Sequence, residues 1–504
     1  MPGTPLAIDG HALTLEDVAR VAHGEVTDVV LAPRAREALA AARRVVEAHI
    51  AADQRVYGVT TGFGRLAEVV IPPGQRVALQ RNVIVSHASG FGAPMPREVV
   101  RALLLLRANT LAHGHSGCSP RCVELLLDFL GRGIHPVVPE FGSVGASGDL
   151  VPLAHIALGL MGEGEVEVGG AVVPAARALA AAGLAPLEVR EKDGISLING
   201  TQFCSAIGTL ALLEAEHGLA ALEVAGALSL DALKGSDGPF AEPIQAVRAH
   251  PGQVASAARL RSLLAGSEIR ESHRVGDPRV QDAYSLRCMP QVHGAARDAL
   301  AYARRVLEIE INSATDNPLV FPETGEIVSG GNFHAQIVGQ ALDLVAIALA
   351  DAAAISERRT ERMLNPDTSG LPAFLAREPG VESGLMMLQT AVADVLTELR
   401  VLAAPASVHS VPTGAGREDH VSMGPAAARK ARRAAWCFAY VVAAELVCAA
   451  EAIEHHRPLR SSPPLERAID RVRAAVPRLA GDRALRADME RVADGVRTGI
   501  FTGD

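Results

Sequence analysis

The stretch IVGQALDLVAIALADAAAI, residues 337–355, is the longest apolar run in the chain and indicates which kind of fold to expect. Alanine dominates it, followed by leucine and isoleucine, and alanine and leucine lose little side-chain freedom in a helix. Asp343 and Asp351 interrupt the run, and a carboxylate inside a bilayer is costly. The pattern therefore predicts a long buried helix rather than a membrane span.

Five further segments carry apolar residues at helical spacing and predict long helices. They are residues 99–113, 122–130, 201–230, 291–311 and 425–456, and the helix of the apolar run itself is expected to extend to residue 362. Residues 165–173, which alternate around a Gly-Gly pair, and residues 319–328 predict two small hairpins. The sequence shows no strand–helix–strand alternation and no fixed repeat. We therefore predict a mainly α fold with a central bundle of very long helices.

Composition and charge narrow the class of protein. Hydrophobic residues make up 49% of the 504-residue chain and charged residues 21%, as in a globular protein. The net charge of −9 argues against a nucleic-acid partner, which needs a basic face. The first residues lack the charged and apolar regions of a signal peptide, and the six cysteines show no zinc-type spacing. We therefore expect a cytoplasmic protein with reduced thiols, no membrane partner and no metal.

A glycine-rich loop, GSVGASGDL at residues 142–150, is the sharpest local signal. Its three glycines at a spacing of three match no dinucleotide-binding fingerprint, and the lysine of a phosphate-binding loop is missing. One interpretation is a flexible turn before a helix that begins near Pro152. Another is backbone cyclisation, because a glycine nitrogen can approach a preceding carbonyl closely. The serine could then lose its hydroxyl and leave an alkene, an electrophile that no standard side chain provides.

The run GASGDL (145–150), followed by PLAH (152–155), resembles the signature of the histidine and phenylalanine ammonia-lyase family. The resemblance extends over most of the chain, from about residue 8 to the C-terminal helices. It implies that Ala146, Ser147 and Gly148 form 4-methylideneimidazol-5-one autocatalytically, without a metal or a diffusible cofactor. It also implies the long-helix fold of the ammonia-lyase and fumarase–aspartase type, in a homotetramer whose active sites draw on several subunits.

The chain divides in sequence into two parts that are expected to fold together. Residues 1–200 would form an N-terminal part that carries the Ala-Ser-Gly loop. Residues 201–504 would form the long-helix bundle and the C-terminal helices. We treat the two parts as one continuous folding unit.

A second glycine-rich loop, YGVTTGFG at residues 57–64, contains one of only four tyrosines. By itself it is typical of a turn anchored by an aromatic side chain. The resemblance implies that Tyr57 is an active-site phenol positioned for proton transfer. The ordinary pKa of a phenol is about 10, so a working base would need that pKa lowered by nearby positive charge or dipoles.

The segment QDAYSLR, residues 281–287, places Gln281, Tyr284 and Arg287 three residues apart. On a helical or 3₁₀ segment these side chains fall on roughly one side. An arginine fork binds a carboxylate with two parallel hydrogen bonds, which suits an amino acid, although a solvated helix face is the simpler alternative. The resemblance assigns substrate-site roles to all three residues and makes Tyr284 a further candidate for the catalytic base.

Two more loops carry candidate residues. In LINGTQ, residues 197–202, Asn199 could merely cap the following helix, but the resemblance implies that it contacts the substrate carboxylate and the cofactor ring. SGGNFH, residues 329–334, is a tight glycine-rich bend. The resemblance implies that Phe333 in this bend packs against the cofactor.

The identity of the substrate side chain depends first on His87, in the segment VSHA at residues 85–88. A lone histidine is more often structural than functional. Here it occupies a position where phenylalanine-specific members of the family carry a large apolar residue. Because a buried imidazole or phenol needs hydrogen-bond partners and an apolar ring does not, His87 argues against phenylalanine and leaves tyrosine and histidine open.

The run EDH at residues 418–420 then favours histidine, because the histidine branch of the family carries Glu-Asp-His there. Glu418 could hold an imidazole N–H or the α-amine, or take the β-proton; a solvated acidic turn is the alternative. Arg417 and Met289 depart from the histidine branch, which usually has glutamine at both positions. A cation beside Glu418 is expected to lower the pKa of that carboxylate and weaken it as a base.

These motifs lead to one expected reaction, the non-oxidative elimination of ammonia from L-histidine to give trans-urocanate. Tyr57, Tyr284 and Glu418 stay open as the base, and the substrate-binding set is His87, Asn199, Gln281, Arg287 and Phe333. The nearest rival is a tyrosine ammonia-lyase or an aromatic aminomutase with the same cofactor. A rival from another class is a catalytically inactive helical scaffold of the same fold.

Overall fold

The long helices of the structure, a computed structural model that describes residues 5–503, form from the alanine- and leucine-rich stretches. The predicted helices are confirmed, with ends that differ by a few residues from those expected. They are Arg97–Ala112, Pro120–Arg132, Gln202–Ala232, Met289–Glu310, Gln336–Leu364 and Gly424–Ile453. The last is extended by a 3₁₀ turn, Glu454–His456.

The remaining helices have 4 to 19 residues, and most of them were not predicted from the sequence. Local signals mark several of their starts: Thr14 and Asp17 form a capping box, and Pro33 and Pro463 stand in the first turn, where a missing N–H costs nothing. These α-helices are Leu15–Ala22, Pro33–Ala51, Arg76–His87, Leu150–Leu160, Ala175–Ala182, Asp193–Ile198, Glu242–Ala246, Pro251–Leu264, Glu268–Glu271, Tyr284–Arg287, Pro366–Ser369, Met386–Leu402, Pro463–Ala475 and Arg486–Arg497. Further 3₁₀ turns are Gly64–Leu66, Pro73–Gln75, Gly238–Phe240, Ala373–Leu375 and Gly414–Gly416.

The strands are few and short. Both predicted hairpins are confirmed, as Glu165–Val168 with Ala171–Pro174 and as Leu319–Phe321 with Glu326–Val328. Ile134–Pro136 adds a third antiparallel strand to the first hairpin. A further antiparallel pair joins Phe91–Pro94 to Pro139–Phe141.

One expectation about the strands is wrong. Leu6–Ile8 and Val29–Leu31 pair in parallel, and the helix Leu15–Ala22 lies between them in sequence, so the chain contains one small strand–helix–strand unit. Each strand has only three residues, which is too short for an alternating pattern to be visible in the sequence.

Contacts within the chain define two compact units. The first comprises Met1–Leu210, Arg305–Leu342 and Pro405–Arg429, and it holds every strand named above. The second comprises Ala211–Arg304, Asp343–Ala404 and Lys430–Asp504 and is built from helices and turns. Small residues allow close packing in it: a Cβ atom on Gly218 would lie 2.9 Å from the Phe438 ring.

Two helices, Gln336–Leu364 and Gly424–His456, are long and apolar enough to cross a membrane by length and composition. Their most apolar windows are 67% and 89% buried inside the protein, as in core helices. Asp343 in the first of them is buried and pairs with Lys430 Nζ at 3.0 Å. Burial inside the protein therefore accounts for their apolar composition.

Candidate active site

A cavity of about 740 Å³ in the first unit is the place where the glycine-rich loops meet. Six of the predicted site residues line it: Tyr57, His87, Ala146, Ser147, Asn199 and Glu418. They come from five separate segments of the chain, so only the tertiary structure brings them together. The cavity is therefore the candidate active site.

The Ala-Ser-Gly loop, residues 146–148, has a backbone bent into the left-handed region, with φ of 52° at Ser147 and 78° at Gly148. This conformation is costly for a serine and persists only where surrounding contacts impose it. Gly148 has no room for a side chain, because a Cβ atom there would lie 2.1 Å from Gly200 O. The nitrogen of residue 148 is thus unhindered by a side chain, as the cyclisation interpretation requires.

Hydrogen bonds from the turn at residues 199–200 hold this loop in place. Asn199 Nδ2 donates to Ser147 O at 2.7 Å, and Asp149 N donates to Gly200 O at 2.7 Å. Asn199 Oδ1, at the other end of the same amide, is buried and has no partner among the residues that the structure describes. The Ser147 carbonyl therefore faces a fixed donor, and the cavity wall keeps one acceptor for a ligand.

Asp149, next to the Ala-Ser-Gly loop, is fully buried at the start of the helix Leu150–Leu160. Its Oδ2 accepts a hydrogen bond from Cys204 N at 2.9 Å. Burial raises the pKa of Asp149 to about 6, and hydrogen bonds from Cys204 and Phe203 and the charge of Arg429 offset part of that rise. A carboxyl group that can exchange its proton near neutral pH thus lies directly beside the loop.

Tyr57 lines the cavity with its phenol oxygen fixed by a backbone donor. Gly64 N donates to Tyr57 Oη at 3.0 Å, and the Phe63 ring meets the tyrosine ring edge-on with 6.1 Å between centroids. Behind this loop the buried Gln80 donates from Nε2 to Gly58 O at 2.7 Å. The phenol oxygen therefore keeps a defined position in the cavity wall.

Glu418 enters the cavity from a strained turn. Gly414 and Ala415 have left-handed φ values of 55° and 57°, and Thr413 N closes the turn by donating to Glu418 O at 2.9 Å. Glu418 Oε2 is buried and accepts no hydrogen bond from any described residue. Since a buried carboxylate oxygen without a donor is costly, this position suits a ligand that supplies an N–H group.

His87 ends the helix Arg76–His87 at the cavity wall. Burial lowers the pKa of His87, and a hydrogen bond to the Val83 carbonyl offsets part of that effect. Ser86 Oγ lies 3.1 Å from His87 Nδ1. The imidazole is therefore neutral near pH 7, with one nitrogen that donates and one that accepts.

The two departures from the histidine branch have different surroundings. Arg417 is exposed, and the expected effect of its charge on Glu418 stays a prediction. Met289 is completely buried in the second unit and packs against Gly226. A Cβ atom added to Gly226 would lie 2.6 Å from Met289 Sδ. Met289 is therefore a packing residue in the core of that unit.

The other predicted residues do not line this cavity. Gln281, Tyr284 and Arg287 belong to the second unit, where Tyr284 is 71% exposed and the Arg287 guanidinium carbon lies 4.6 Å from the centre of the tyrosine ring. Only the single turn Tyr284–Arg287 is helical, and Gln281 precedes it. Phe333 is half-buried in the bend before the helix Gln336–Leu364. The roles of these four residues stay predictions.

Two further residues are important at the site and were not predicted from the sequence. Asn317 lines the cavity, and its Oδ1 accepts a hydrogen bond from Gly330 N at 2.8 Å. Arg107, completely buried in the helix Arg97–Ala112, donates from Nη1 to Asn199 O at 2.8 Å. The position of Arg107 directly after four consecutive leucines, residues 103–106, was a visible signal for it. Asn317 carries no such signal, because only the fold brings it to the cavity.

Comparison with known sequences gives a match along almost the whole chain. The sequence model of the family described as aromatic amino acid lyase matches residues 13–474. The histidine ammonia-lyase of Anaeromyxobacter sp. (strain K) is 53% identical over 502 residues, which cover 98% of this chain and 99% of that protein.

Solved structures share the fold, among them a histidine ammonia-lyase and a tyrosine aminomutase. The crystal structure of histidine ammonia-lyase from Trypanosoma cruzi has a TM-score of 0.91 at 38% identity and covers 99% of this chain and 94% of that chain. The crystal structure of tyrosine aminomutase from Streptomyces globisporus has a TM-score of 0.92 at 39% identity and covers 99% and 98%. These likenesses confirm the predicted fold class. Together with the family match they show that the chain belongs to the aromatic amino acid lyase family and is a carbon–nitrogen lyase.

Proposed function

We propose that this protein eliminates ammonia from L-histidine and releases trans-urocanate, a reaction of histidine degradation. The observation that carries the proposal is the meeting in one cavity of the left-handed Ala-Ser-Gly loop with Tyr57, His87, Asn199 and Glu418. Relatives named histidine ammonia-lyase, at 53% identity in Anaeromyxobacter and 50% in Gloeobacter violaceus, support the choice of substrate.

We infer that residues 146–148 form 4-methylideneimidazol-5-one. In ring closure the Gly148 nitrogen bonds to the Ala146 carbonyl carbon, and the carbonyl oxygen leaves as water with hydrogens from the nitrogens of Gly148 and Ser147. The Ser147 hydroxyl then leaves with the hydrogen of its own Cα as a second water, which creates the alkene. The close backbone contact at Gly148 and the amide donor on Ser147 O fit this group.

The cofactor supplies an electrophile that turns the α-amine, a poor leaving group, into a better one. The side chains of the cavity bind and orient the amino acid. Glu418 Oε2 and Asn199 Oδ1 are buried acceptors without a donor among the described residues, and the imidazole N–H and the ammonium group of histidine supply donors. The resemblance adds Arg287 and Asn199 as anchors for the substrate carboxylate.

The base that removes the β-proton is one of three residues. Tyr57 and Glu418 both line the cavity, one with an oxygen fixed by Gly64 N and the other with a buried oxygen that has no donor. Tyr284 belongs to the second unit, is mostly exposed and does not line the cavity; the resemblance makes it the third candidate. We expect the rate to have a bell-shaped dependence on pH, with the fall at low pH caused by protonation of the base.

His87 supports a substrate with a polar ring. Its imidazole is neutral and half-buried in the cavity wall, where it offers a hydrogen bond that a phenyl ring could not use. A site built to bind a ring N–H or O–H rejects an analogue without that group, because its own polar atoms are then left without partners. Histidine and tyrosine therefore fit this wall better than phenylalanine.

An aromatic aminomutase, or a tyrosine ammonia-lyase with the same cofactor, is the second candidate. The structure of tyrosine aminomutase from Streptomyces globisporus is as similar to this chain, at 39% identity, as that of the Trypanosoma cruzi histidine ammonia-lyase, at 38%. Its cofactor and its first steps would be the same. Only the products distinguish an aminomutase, which returns ammonia to the β-carbon, from a lyase, which releases it.

We also propose a homotetramer with shared active sites, located in the cytoplasm. Gln281, Tyr284 and Arg287 do not line the cavity of the first unit, which is consistent with their acting in a site shared between subunits. All six cysteines are free thiols, and five of them are buried, as in a protein of a reducing compartment. The proposed partners are small amino acid substrates, without nucleic acid or membrane.

The test incubates the purified protein separately with L-histidine, L-tyrosine and L-phenylalanine and follows both ammonia and the organic products by mass. Urocanate and ammonia from histidine, both lost in Ser147→Ala, are the expected result. Coumarate, or a β-amino acid, would keep the cofactor and overturn the substrate. An intact mass that shows no loss of water, with no product from any of the three, would mean a scaffold without this activity.

A further inference from the structure

Arg107 is completely buried in the middle of the helix Arg97–Ala112 and donates to three neutral oxygens. Nη1 donates to Asn199 O at 2.8 Å and to Gln202 Oε1 at 2.7 Å, and Nη2 donates to Ser196 O. A buried guanidinium is costly unless its N–H groups are bonded. If Arg107 only filled space, an apolar side chain could take its place without loss of stability. The groups to which Arg107 donates therefore indicate what it is there to hold.

The three acceptors all belong to one short stretch of chain. Ser196 lies in the last turn of the helix Asp193–Ile198, Asn199 follows that helix, and Gln202 begins the helix Gln202–Ala232. The guanidinium therefore spans the turn at residues 199–200 from one side to the other. Its planar fork can hold several acceptors in a fixed geometry at once.

The opposite face of that turn holds the Ala-Ser-Gly loop. A Cβ atom on Gly200 would lie 2.5 Å from Arg107 Nη1, while a Cβ atom on Gly148 would lie 2.1 Å from Gly200 O. Arg107, the backbone of Gly200 and the backbone of Gly148 are thus stacked in direct succession. Gly200 therefore lies close to both the guanidinium and the glycine whose nitrogen closes the ring.

The same turn makes two hydrogen bonds to the loop and to the residue that follows it. Asn199 Nδ2 donates to Ser147 O and Gly200 O accepts from Asp149 N, each at 2.7 Å. Gln202 extends the support, because its Nε2 donates to Thr110 Oγ1 at 2.9 Å and to Thr315 Oγ1 at 2.7 Å. A displacement of the turn would therefore move the donor on Ser147 and the wall behind Gly148 together.

We propose that Arg107 is a positioning residue for the cofactor-forming loop: it clamps the turn at residues 199–200 so that Ser147 and Gly148 are held in the geometry of ring closure. The inference rests on the proposed cofactor. In the mature protein the same clamp keeps Asn199 Nδ2 on the Ser147 carbonyl, which is conjugated with the alkene once that alkene has formed. Arg107 touches neither substrate nor cofactor, so it acts only through Asn199 and Gly200.

Arg101 provides a matched control on the same helix. It is also buried and donates from Nε to Val21 O at 2.7 Å, from Nη1 to Leu130 O and from Nη2 to Val26 O, each of the latter two at 3.3 Å. Arg101 therefore donates to three neutral oxygens, as Arg107 does, but none of its acceptors belongs to residues 146–148 or 196–202. Replacing each arginine by lysine keeps the charge and removes the fork.

The experiment compares the full-length wild type, Arg107→Lys and Arg101→Lys. Intact mass gives the fraction of chains that have lost two waters and so carry the cofactor, which we call the loaded fraction. Thermal unfolding gives stability, and kinetics give kcat and KM per site that carries the cofactor. We expect Arg107→Lys to lower the loaded fraction by about tenfold and to lower kcat more than KM in the chains that do load. Arg101→Lys should lose stability to a similar degree and stay fully loaded.

Three outcomes would overturn the inference. The first is a full cofactor content with normal kcat in Arg107→Lys, and the second is an equal loss of cofactor in both variants. The third is a cofactor content in Arg107→Lys that falls only in proportion to the fraction of unfolded protein. If Arg107→Lys does not fold, Gln202→Leu decides, because it leaves the guanidinium two of its three acceptors. Its loaded fraction should fall between wild type and zero, and wild-type loading in it would contradict the clamp. A wild type that never loses water would instead refute the proposed function itself.

Discussion

The two units each bury an arginine completely, but they surround it differently. Arg107 in the first unit donates to three neutral oxygens of residues 196–202. Arg359 in the second unit is paired with an equally buried carboxylate, Glu445, whose oxygens also accept from the hydroxyls of Ser229 at 2.7 Å and Ser356 at 2.6 Å. One arrangement holds backbone in place beside a site, and the other neutralises two charges within a helical core.

The contrast between the two arginines helps to distinguish a buried charge that supports a site from one that only stabilises the core. A closed pair such as Arg359 and Glu445 has every strong donor matched to an acceptor, so its loss should cost stability and nothing else. In the first unit, two residues that line the cavity each carry a buried acceptor without a partner among the described residues, Asn199 Oδ1 and Glu418 Oε2. Substitutions in the two units should therefore affect different quantities.

The largest effect is expected from Ser147→Ala in the first unit. Without the hydroxyl no alkene can form, so activity should fall by about 10³-fold or more while the thermal midpoint hardly changes. The measurement is ammonia release together with intact mass. Ser256→Ala is the control in the second unit, because the Ser256 hydroxyl is buried with no partner among the described residues and its removal should be neutral. Residual activity within tenfold of wild type would contradict the assigned role.

Next in size is the stability cost of opening the closed pair of the second unit. Glu445→Ala leaves the Arg359 charge buried without compensation, which should destabilise the protein by about 3–5 kcal/mol. Glu398→Ala removes the partner of Arg433 in a pair whose side chains are 41% and 45% exposed, and it should cost less than about 1 kcal/mol. Denaturant unfolding measures both. The fraction of chains that carry the cofactor should be unchanged in each variant. A lower fraction in Glu445→Ala would show that this pair of the second unit affects cofactor formation as well as stability.

A third comparison concerns two buried aspartates, one in each unit. Burial raises the pKa of Asp149 to about 6 and that of Asp231 to about 6, from an ordinary value of 3.8. Because the folded protein then holds the proton more tightly than the unfolded chain, stability is full below about pH 4 and is lost as the pH rises to about 6. The loss corresponds to roughly 3 kcal/mol for each group.

Asp149→Asn and Asp231→Asn should each remove part of this dependence between about pH 4 and pH 6. Thermal midpoints at a series of pH values measure it, with the wild type alongside. Similar changes in both variants would mean that burial alone sets these two pKa values. A change confined to one variant would show that the surroundings of the other aspartate keep its carboxyl group at an ordinary pKa.

The smallest effect is expected from Arg417→Gln, which restores the residue usual in the histidine branch. Arg417 is exposed, and the interaction of an exposed charge with its neighbours is screened by solvent and salt. Its kcat/KM with L-histidine should therefore stay within about twofold of wild type. A tenfold change, or a shift of the acid limb of the pH profile, would mean that the cation does act on Glu418.

Much of the fold was accessible from the sequence, because the long helices are local patterns. The helix Gln202–Ala232 and the hairpin of Glu165–Val168 with Ala171–Pro174 appear where apolar spacing predicts them. The parallel pair of Leu6–Ile8 with Val29–Leu31 was missed, since three residues are too few to show a period. The family and the reaction class followed from short loops whose residues are adjacent in sequence.

The fold class, the family and the identity of the Ala-Ser-Gly loop could be recognised from the sequence, because all of them depend on neighbouring residues. The environment of that loop became visible only in the folded chain. Distant segments impose the left-handed φ of Ser147. The donor on its carbonyl, Asn199, is 52 residues away in sequence, and Arg107, which holds Asn199, is a further 92 residues from Asn199. No local pattern encodes such contacts, because each depends on how the whole unit packs.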